Sequence, residues 1–155
     1  MRLWHKDLIP YLPQQQLLGQ WRELCCIAAS LATDHTPNHI LVNPILDYPP
    51  EHFEAYCILV LNEMKKRKYE IGDVAFNNLR CNVRAWRLYL DSELPFDYID
   101  KDWTIDLGEE LFGEWHSTRY LRQCYFNLEE KYDRGGIPQK EWMSIFSVFG
   151  IGGFR

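Results

Sequence analysis

Residues 13–31 read PQQQLLGQWRELCCIAASL, and this stretch decides the fold class. Its apolar residues recur at alternating spacings of four and three, which is the pattern of one buried face of an α-helix. The positions on that face are Leu17, Trp21, Leu24, Ala28 and Leu31. The spacing predicts a helix over Gln14–Leu31, and Pro13 suits its first turn.

Glu23 lies on another side of this helix. At roughly 100° per residue it sits about 200° around from Trp21, so it cannot join the apolar face. Gln16, Gly19, Gln20 and Ile27 share its side. Because Gly19 lies one turn earlier, we expect it to leave room beside the carboxylate, and this polar face is either a ligand site or a solvated surface.

The rest of the chain repeats the helical pattern. We expect a second helix over residues 51–68, a smaller one over 76–90, a third main helix over 114–134 that stops at Gly135–Gly136, and a last short helix from Pro138. No segment alternates with a period of two. The sequence therefore predicts an all-α fold, a compact single-domain bundle over residues 1–155 of three main helices plus short helices and long irregular connections.

Composition excludes several classes of protein. Hydrophobic residues make up 46% and aromatic residues 15% of the 155 positions, which excludes a disordered chain. No apolar run approaches the ~20 residues that span a bilayer. We expect no signal peptide, because charged residues and Pro10 interrupt the N-terminal segment. An odd number of cysteines, five, indicates reduced thiols and a cytoplasmic protein.

The charge balance argues against DNA binding at the level of composition. The formal net charge is −5, whereas dedicated DNA-binding proteins usually carry a basic excess. Two basic runs, residues 65–68 and the arginines Arg80, Arg84 and Arg87, soften the objection. We favour a solvated helix end for residues 65–68.

Two N-terminal segments, MRLWHKDLIP (residues 1–10) and QQQLLGQWREL (residues 14–24), resemble the phage-type pyrimidine-dimer DNA glycosylases, also called dimer-excising endonuclease V. The similarity continues in LNEMKKRKYEIGD (residues 61–73) and returns more weakly in WHSTRYLRQC (residues 115–124). Together the four segments comprise 44 of the 155 residues.

The resemblance implies a catalytic mechanism that uses the N-terminal α-amine and Glu23. In that family the α-amine attacks C1′ of the damaged nucleotide and forms a Schiff base. α-Amines titrate near ~7.7–8.0, so a useful fraction is neutral at working pH. Because a bulky second residue such as Arg2 normally prevents removal of the first methionine, we map the nucleophile to Met1. Glu23 would manage proton transfers, and Arg2 would contact a phosphate.

Further DNA contacts implied by the resemblance each have a structural alternative. Arg22, Arg119 and Arg122 are either phosphate ligands or surface arginines. His116 is either a substrate contact or a surface histidine at the start of the third main helix. Trp142 falls where the family touches DNA, but its spacing of four from Phe146 favours a core role.

Metal binding is the other function that the histidines suggest. The pair His35 and His39 is spaced as H-x-x-x-H, but it lies among loop residues without a third ligand at a familiar spacing, which disfavours a metal site. Neither a metal nor another cofactor is expected.

Two functional hypotheses follow from these observations. The first is a cofactor-free DNA repair glycosylase with lyase activity on damaged duplex DNA. The alternative is a non-catalytic protein of the same fold that binds a nucleotide or a protein partner.

Overall fold

The computed structural model describes residues 1–94, 103–150 and 152. Five α-helices are found in these residues: α1 Gln14–Asp34, α2 Glu51–Lys66, α3 Asp73–Leu90, α4 Thr118–Asp133 and α5 Gln139–Phe149. Three 3₁₀ helices cover Lys6–Tyr11, Asn43–Asp47 and Gly108–Glu110. The predicted all-α fold is confirmed. No helix of the described residues is long and apolar enough to cross a membrane.

Helix α1 is the centre of the bundle and packs against both α2 and α3. All five residues of its predicted apolar face are buried, and its neighbours Gln20 and Ile27 are buried as well. The buried face is therefore wider than the spacing of four and three indicates. The helix runs three residues further than predicted and ends at His35, which adopts a left-handed conformation.

Three predicted helix bounds need correction. Helix α3 is a main helix of 18 residues rather than a smaller one, because it begins at Asp73. Helix α2 ends at Lys66, two residues early. Helix α4 begins at Thr118, where the Ser117 side chain accepts the Tyr120 N–H and caps the helix. The predicted stop at Gly135 is confirmed, since its φ of 79° favours glycine.

Two arginines of the basic runs serve the interior of the fold. Arg87 on α3 lies 2.9 Å from Glu51 Oε1 and 3.2 Å from the fully buried Glu54 Oε2 on α2. Arg67 follows α2 and donates to the carbonyl oxygens of Leu12 at 2.7 Å and Pro10 at 3.1 Å. The solvated-end interpretation therefore fits Lys65, Lys66 and Lys68, which are exposed, but not Arg67.

Two histidines join the N-terminal segment to the residues before α4. The His5 Nε2–H donates to the His116 carbonyl at 2.7 Å, and the Lys6 N–H donates to His116 Nδ1 at 3.0 Å. The Asp7 N–H donates to His5 Nδ1 at 3.1 Å, so both rings accept a backbone N–H and must be neutral. Burial lowers the pKa of His5, and burial with the charges of His5 and Lys6 lowers the pKa of His116 to about 2.

We expect the protein to lose stability on acidification below pH 6.5. Both histidine pKa values are lowered on folding, so the unfolded chain binds more protons below its histidine pKa of about 6.5. The contribution of His116 is complete above that pH and is lost as the pH falls toward about 2. By pH 5 this loss is about 2 kcal/mol. Urea unfolding at pH 7.5 and pH 5 measures it.

His116→Gln and His39→Gln give a matched comparison for this pH dependence. The glutamine introduced by His116→Gln would retain an acceptor without titrating, so we expect a smaller difference between the two pH values in that variant. His39 lies in the connection between α1 and α2, and its replacement should leave the difference unchanged. Equal pH dependence in the two variants would contradict the role of His116.

Candidate active site

The first four residues form an extended arm whose backbone is hydrogen-bonded to three helices. The Trp4 N–H donates to Gln20 Oε1 of α1 at 2.8 Å. The Tyr56 hydroxyl of α2 donates to the Trp4 carbonyl at 2.6 Å, and the Tyr120 hydroxyl of α4 donates to the Leu3 carbonyl. Because each of these partners sits on a helix, the arm has a fixed path across the bundle.

This path brings the N-terminal amine to Glu23. The Met1 nitrogen lies 3.9 Å from Glu23 Oε1, and the two side chains are 29% and 33% exposed. That separation is that of an ion pair at the limit of direct contact, and the partial exposure leaves both groups accessible from solvent. A reacting carbon atom approaching the amine would therefore meet a carboxylate beside it.

The side chain of Gln20 links the backbone of the arm to the Glu23 carboxylate. Its side chain is 1% exposed. Its Nε2 donates to the Arg2 carbonyl at 3.0 Å and to Glu23 Oε2 at 3.3 Å. One carboxylate oxygen of Glu23 thus faces the amide, and the other faces the amine.

Gly19 does not have the role predicted for it. A Cβ atom built at Gly19 meets no other atom within 4 Å, so the prediction that this glycine relieves crowding at Glu23 is wrong. The space beside the carboxylate comes from the exposure of the site itself.

Arg2 and Trp4 form a second contact beside the amine. The Arg2 guanidinium carbon lies 5.6 Å from the centre of the Trp4 ring, a cation–π distance. Arg2 is half-buried. Arg22, next to Glu23, is exposed on the outer side of α1.

Arg119 and Arg122 are exposed on α4, the helix whose Tyr120 holds the arm. Both arginines therefore belong to a helix that contacts the arm.

His116 and Trp142 lie in the interior. His116 is 5% exposed and precedes α4, so the interpretation as a surface histidine at the helix start is wrong. Trp142 is also 5% exposed, and its ring stacks on Tyr132 with centroids 5.2 Å apart and an interplanar angle of 14°. Both positions favour structural roles over direct contact with DNA.

The other histidine pair and a cavity beside α2 and α3 lie away from the amine. The His35 ring stacks on Tyr89, and His39 Nδ1 accepts the Leu41 N–H at 3.3 Å. A cavity of about 670 Å³ lies between α2, α3 and residues 103–111. Neither Met1 nor Glu23 lines it, and we place the chemistry at the amine because a nucleophile and an acid meet there.

Three residues of the site were missed by the sequence analysis as functional: Gln20, Tyr56 and Tyr120. Gln20 was placed on the Glu23 side of α1 from its spacing, but nothing marked it as buried. Tyr56 occupies a position within a run of apolar residues on α2, where a lone hydroxyl is the only sequence signal.

A comparison with known protein families gives a match to the N-terminal part of the chain. Residues 1–76 match the family model of the pyrimidine dimer DNA glycosylases. No curated protein and no solved structure matches the chain. The matched range contains Met1, Gln20, Glu23 and Tyr56. The match over residues 1–76 supports a function of the pyrimidine dimer DNA glycosylase kind for this protein.

Proposed function

We propose that the protein is a DNA glycosylase and lyase that cleaves damaged duplex DNA through the α-amine of Met1, with Glu23 as its acid and base. The observation that carries this proposal is the 3.9 Å separation between the Met1 nitrogen and Glu23 Oε1. The match of residues 1–76 to the pyrimidine dimer DNA glycosylases supports the substrate class.

The first step is the displacement of the damaged base. The neutral amine uses its lone pair to form a bond with C1′ of the nucleotide. The bond between C1′ and the base breaks, its electron pair leaves with the base, and the base takes up a proton. The positive charge that develops on the sugar lies beside Glu23, whose ionised carboxylate would stabilise it.

The second step is cleavage of the strand. The amine nitrogen loses one of its two protons, the C1′–O4′ bond breaks and O4′ takes up a proton, which leaves a protonated Schiff base, C1′=NH⁺, between Met1 and C1′. Glu23 removes a proton from C2′, the C3′–oxygen bond breaks, and the 3′ phosphate leaves with the electron pair. Water then hydrolyses the Schiff base and frees the amine.

Access to C1′ requires that the duplex open locally. A lesion stacks and pairs less well than a normal base, so extruding it or its partner costs less. The partial exposure of Met1 and Glu23 fits a site that receives a nucleotide from outside the protein.

Phosphate contacts would come from exposed or half-buried arginines. Arg2 lies within the arm, Arg22 lies on α1, and Arg119 and Arg122 lie on α4. His116 and Trp142 would act indirectly, by holding the arm and α5 in place, because both are buried.

Borohydride trapping tests the nucleophile. We expect the protein to form a covalent adduct with duplex DNA that carries one abasic site, since sodium borohydride reduces a Schiff base to a stable amine. Mass spectrometry should map the adduct to Met1, after the intact mass has confirmed an unmodified Met1. Acetylation of the α-amine should abolish the adduct.

An adduct on another residue and the absence of any adduct lead to different conclusions. An adduct on a lysine would contradict Met1 as the nucleophile. Absence of an adduct, with the α-amine free, would overturn the enzyme proposal in favour of a non-catalytic protein that binds a nucleotide or a protein partner.

Replacement of Glu23 tests the acid and base. Glu23→Gln keeps the size of the side chain but removes its charge and basicity, so we expect strand cleavage to fall by about 10²–10⁴-fold while DNA binding and thermal stability are retained. Asp34→Asn is the matched control, since it makes the same charge change on α1 about 16 Å further along the helix. Equal cleavage by the wild-type and Glu23→Gln proteins would remove Glu23 from the mechanism.

Two arginines of α4 test the DNA-binding surface. Arg119 lies in the first turn next to Tyr120, whereas Arg134 follows the last turn about 22 Å away and pairs with Glu130. Arg119→Gln should weaken duplex binding and reduce the slope of log affinity against log salt by about 0.9 per lost phosphate contact. Arg134→Gln should leave both unchanged, and equal effects of the two variants would exclude a local contact at Arg119.

A further inference from the structure

We infer that Gln20 is a positioning residue that sets the Glu23 carboxylate against the Met1 amine. The inference rests on the proposed function and extends it to a buried residue that touches neither DNA nor the reacting atoms. Four hydrogen bonds of the Gln20 amide, its burial and the chemical identity of its partners support the inference.

The orientation of the Gln20 amide is fixed by its backbone partners. The Trp4 N–H is only a donor, so the atom 2.8 Å away must be the amide oxygen Oε1. The Arg2 carbonyl is only an acceptor, so the atom 3.0 Å away must be the amide nitrogen Nε2. The reversed amide would set a donor against the Trp4 N–H and an acceptor against the Arg2 carbonyl, and the amide nitrogen therefore faces Glu23.

Burial makes these contacts costly to break. Gln20 is 1% exposed, and its amide oxygen also lies 2.8 Å from the Tyr56 hydroxyl, whose single proton is shared between this oxygen and the Trp4 carbonyl. Both protons of the amide nitrogen are in use, on the Arg2 carbonyl and on Glu23. A buried polar group that loses its hydrogen-bond partner is destabilised, so the arrangement resists rotation of the side chain.

This arrangement makes the two carboxylate oxygens of Glu23 unequal. Oε2 accepts from Gln20 Nε2 at 3.3 Å, and Oε1 is turned toward the Met1 nitrogen. The same amide nitrogen holds the Arg2 carbonyl, one residue from the amine. Gln20 therefore fixes both partners of the reaction with one group, so that movement of the arm and movement of the carboxylate are coupled.

Two variants of Gln20 and one of Tyr48 separate positioning from stability. Gln20→Glu keeps an oxygen for Trp4 and Tyr56 but replaces the amide nitrogen by an oxygen, which repels Glu23. Gln20→Met removes all the hydrogen bonds without adding charge. Tyr48→Phe, the control, removes a partly buried hydroxyl that accepts the Trp115 N–H at 2.8 Å and leaves the hydrogen bonds of Gln20 in place.

The decisive measurement is the rate of borohydride-trapped adduct formation at saturating abasic-site duplex, alongside the dissociation constant and the melting temperature. We expect Gln20→Glu and Gln20→Met to lower the rate by roughly ten- to a hundredfold with DNA binding unchanged, because small misplacements of reacting groups cost rates of this order. Tyr48→Phe should lower the melting temperature but keep the rate near that of the wild type. Rates that fall in parallel with melting temperature in all three variants would overturn the inference.

Crystal structures of the variants test the geometry without any activity. The Met1 nitrogen and Glu23 Oε1 should stay as close in Tyr48→Phe as in the wild type and should move apart in both Gln20 variants. An unchanged separation in the Gln20 variants would refute the positioning role. An absent adduct in the wild type would instead refute the proposed function, so the two failures are distinguished.

Discussion

The need to satisfy buried backbone groups in the first six residues is the constraint on which the rest of the structure depends. An extended arm has no internal hydrogen bonds, so each buried N–H and carbonyl must find a partner on another element. Gln20, Tyr56, Tyr120 and His116 supply those partners from α1, α2, α4 and the residues before α4. The same contacts that make the arm part of the fold also determine where its first residue lies.

A terminal amine is ordinarily a mobile group, because chain ends are poorly ordered unless they are tied down. Here the amine belongs to an arm whose carbonyls and N–H groups are held, while Met1 itself is partly exposed. The backbone of the arm is therefore held in place, while the amine at its end is accessible to solvent. For a nucleophile this combination reduces the entropy that must be lost on reaching the reacting carbon atom.

Local patterns in the sequence could predict the helices but not the partners of the arm. The spacing of four and three predicted the apolar face of α1, and Gly135 predicted the end of α4. The start of α3 was missed because its first residues, 73–75, are not buried and so do not extend the apolar pattern of the helix toward its N-terminus. The bonds that define the site join residues separated by 16, 36 and 117 positions, and no local pattern encodes such pairings. Glu23 was found through a family resemblance rather than from its own surroundings.

The net charge of −5 has a different meaning once the cations are placed in the fold. Arg87 and Arg67 are engaged with carboxylates and backbone carbonyls, so they are unavailable to a polyanion. Arg22 and Arg119 are exposed on α1 and α4, the helices that carry Gln20 and Tyr120, the partners of the arm. Affinity for DNA depends on the phosphates that are contacted rather than on the charge of the whole chain. The negative net charge therefore does not by itself argue against DNA binding, because the placement of the cations matters more than their number.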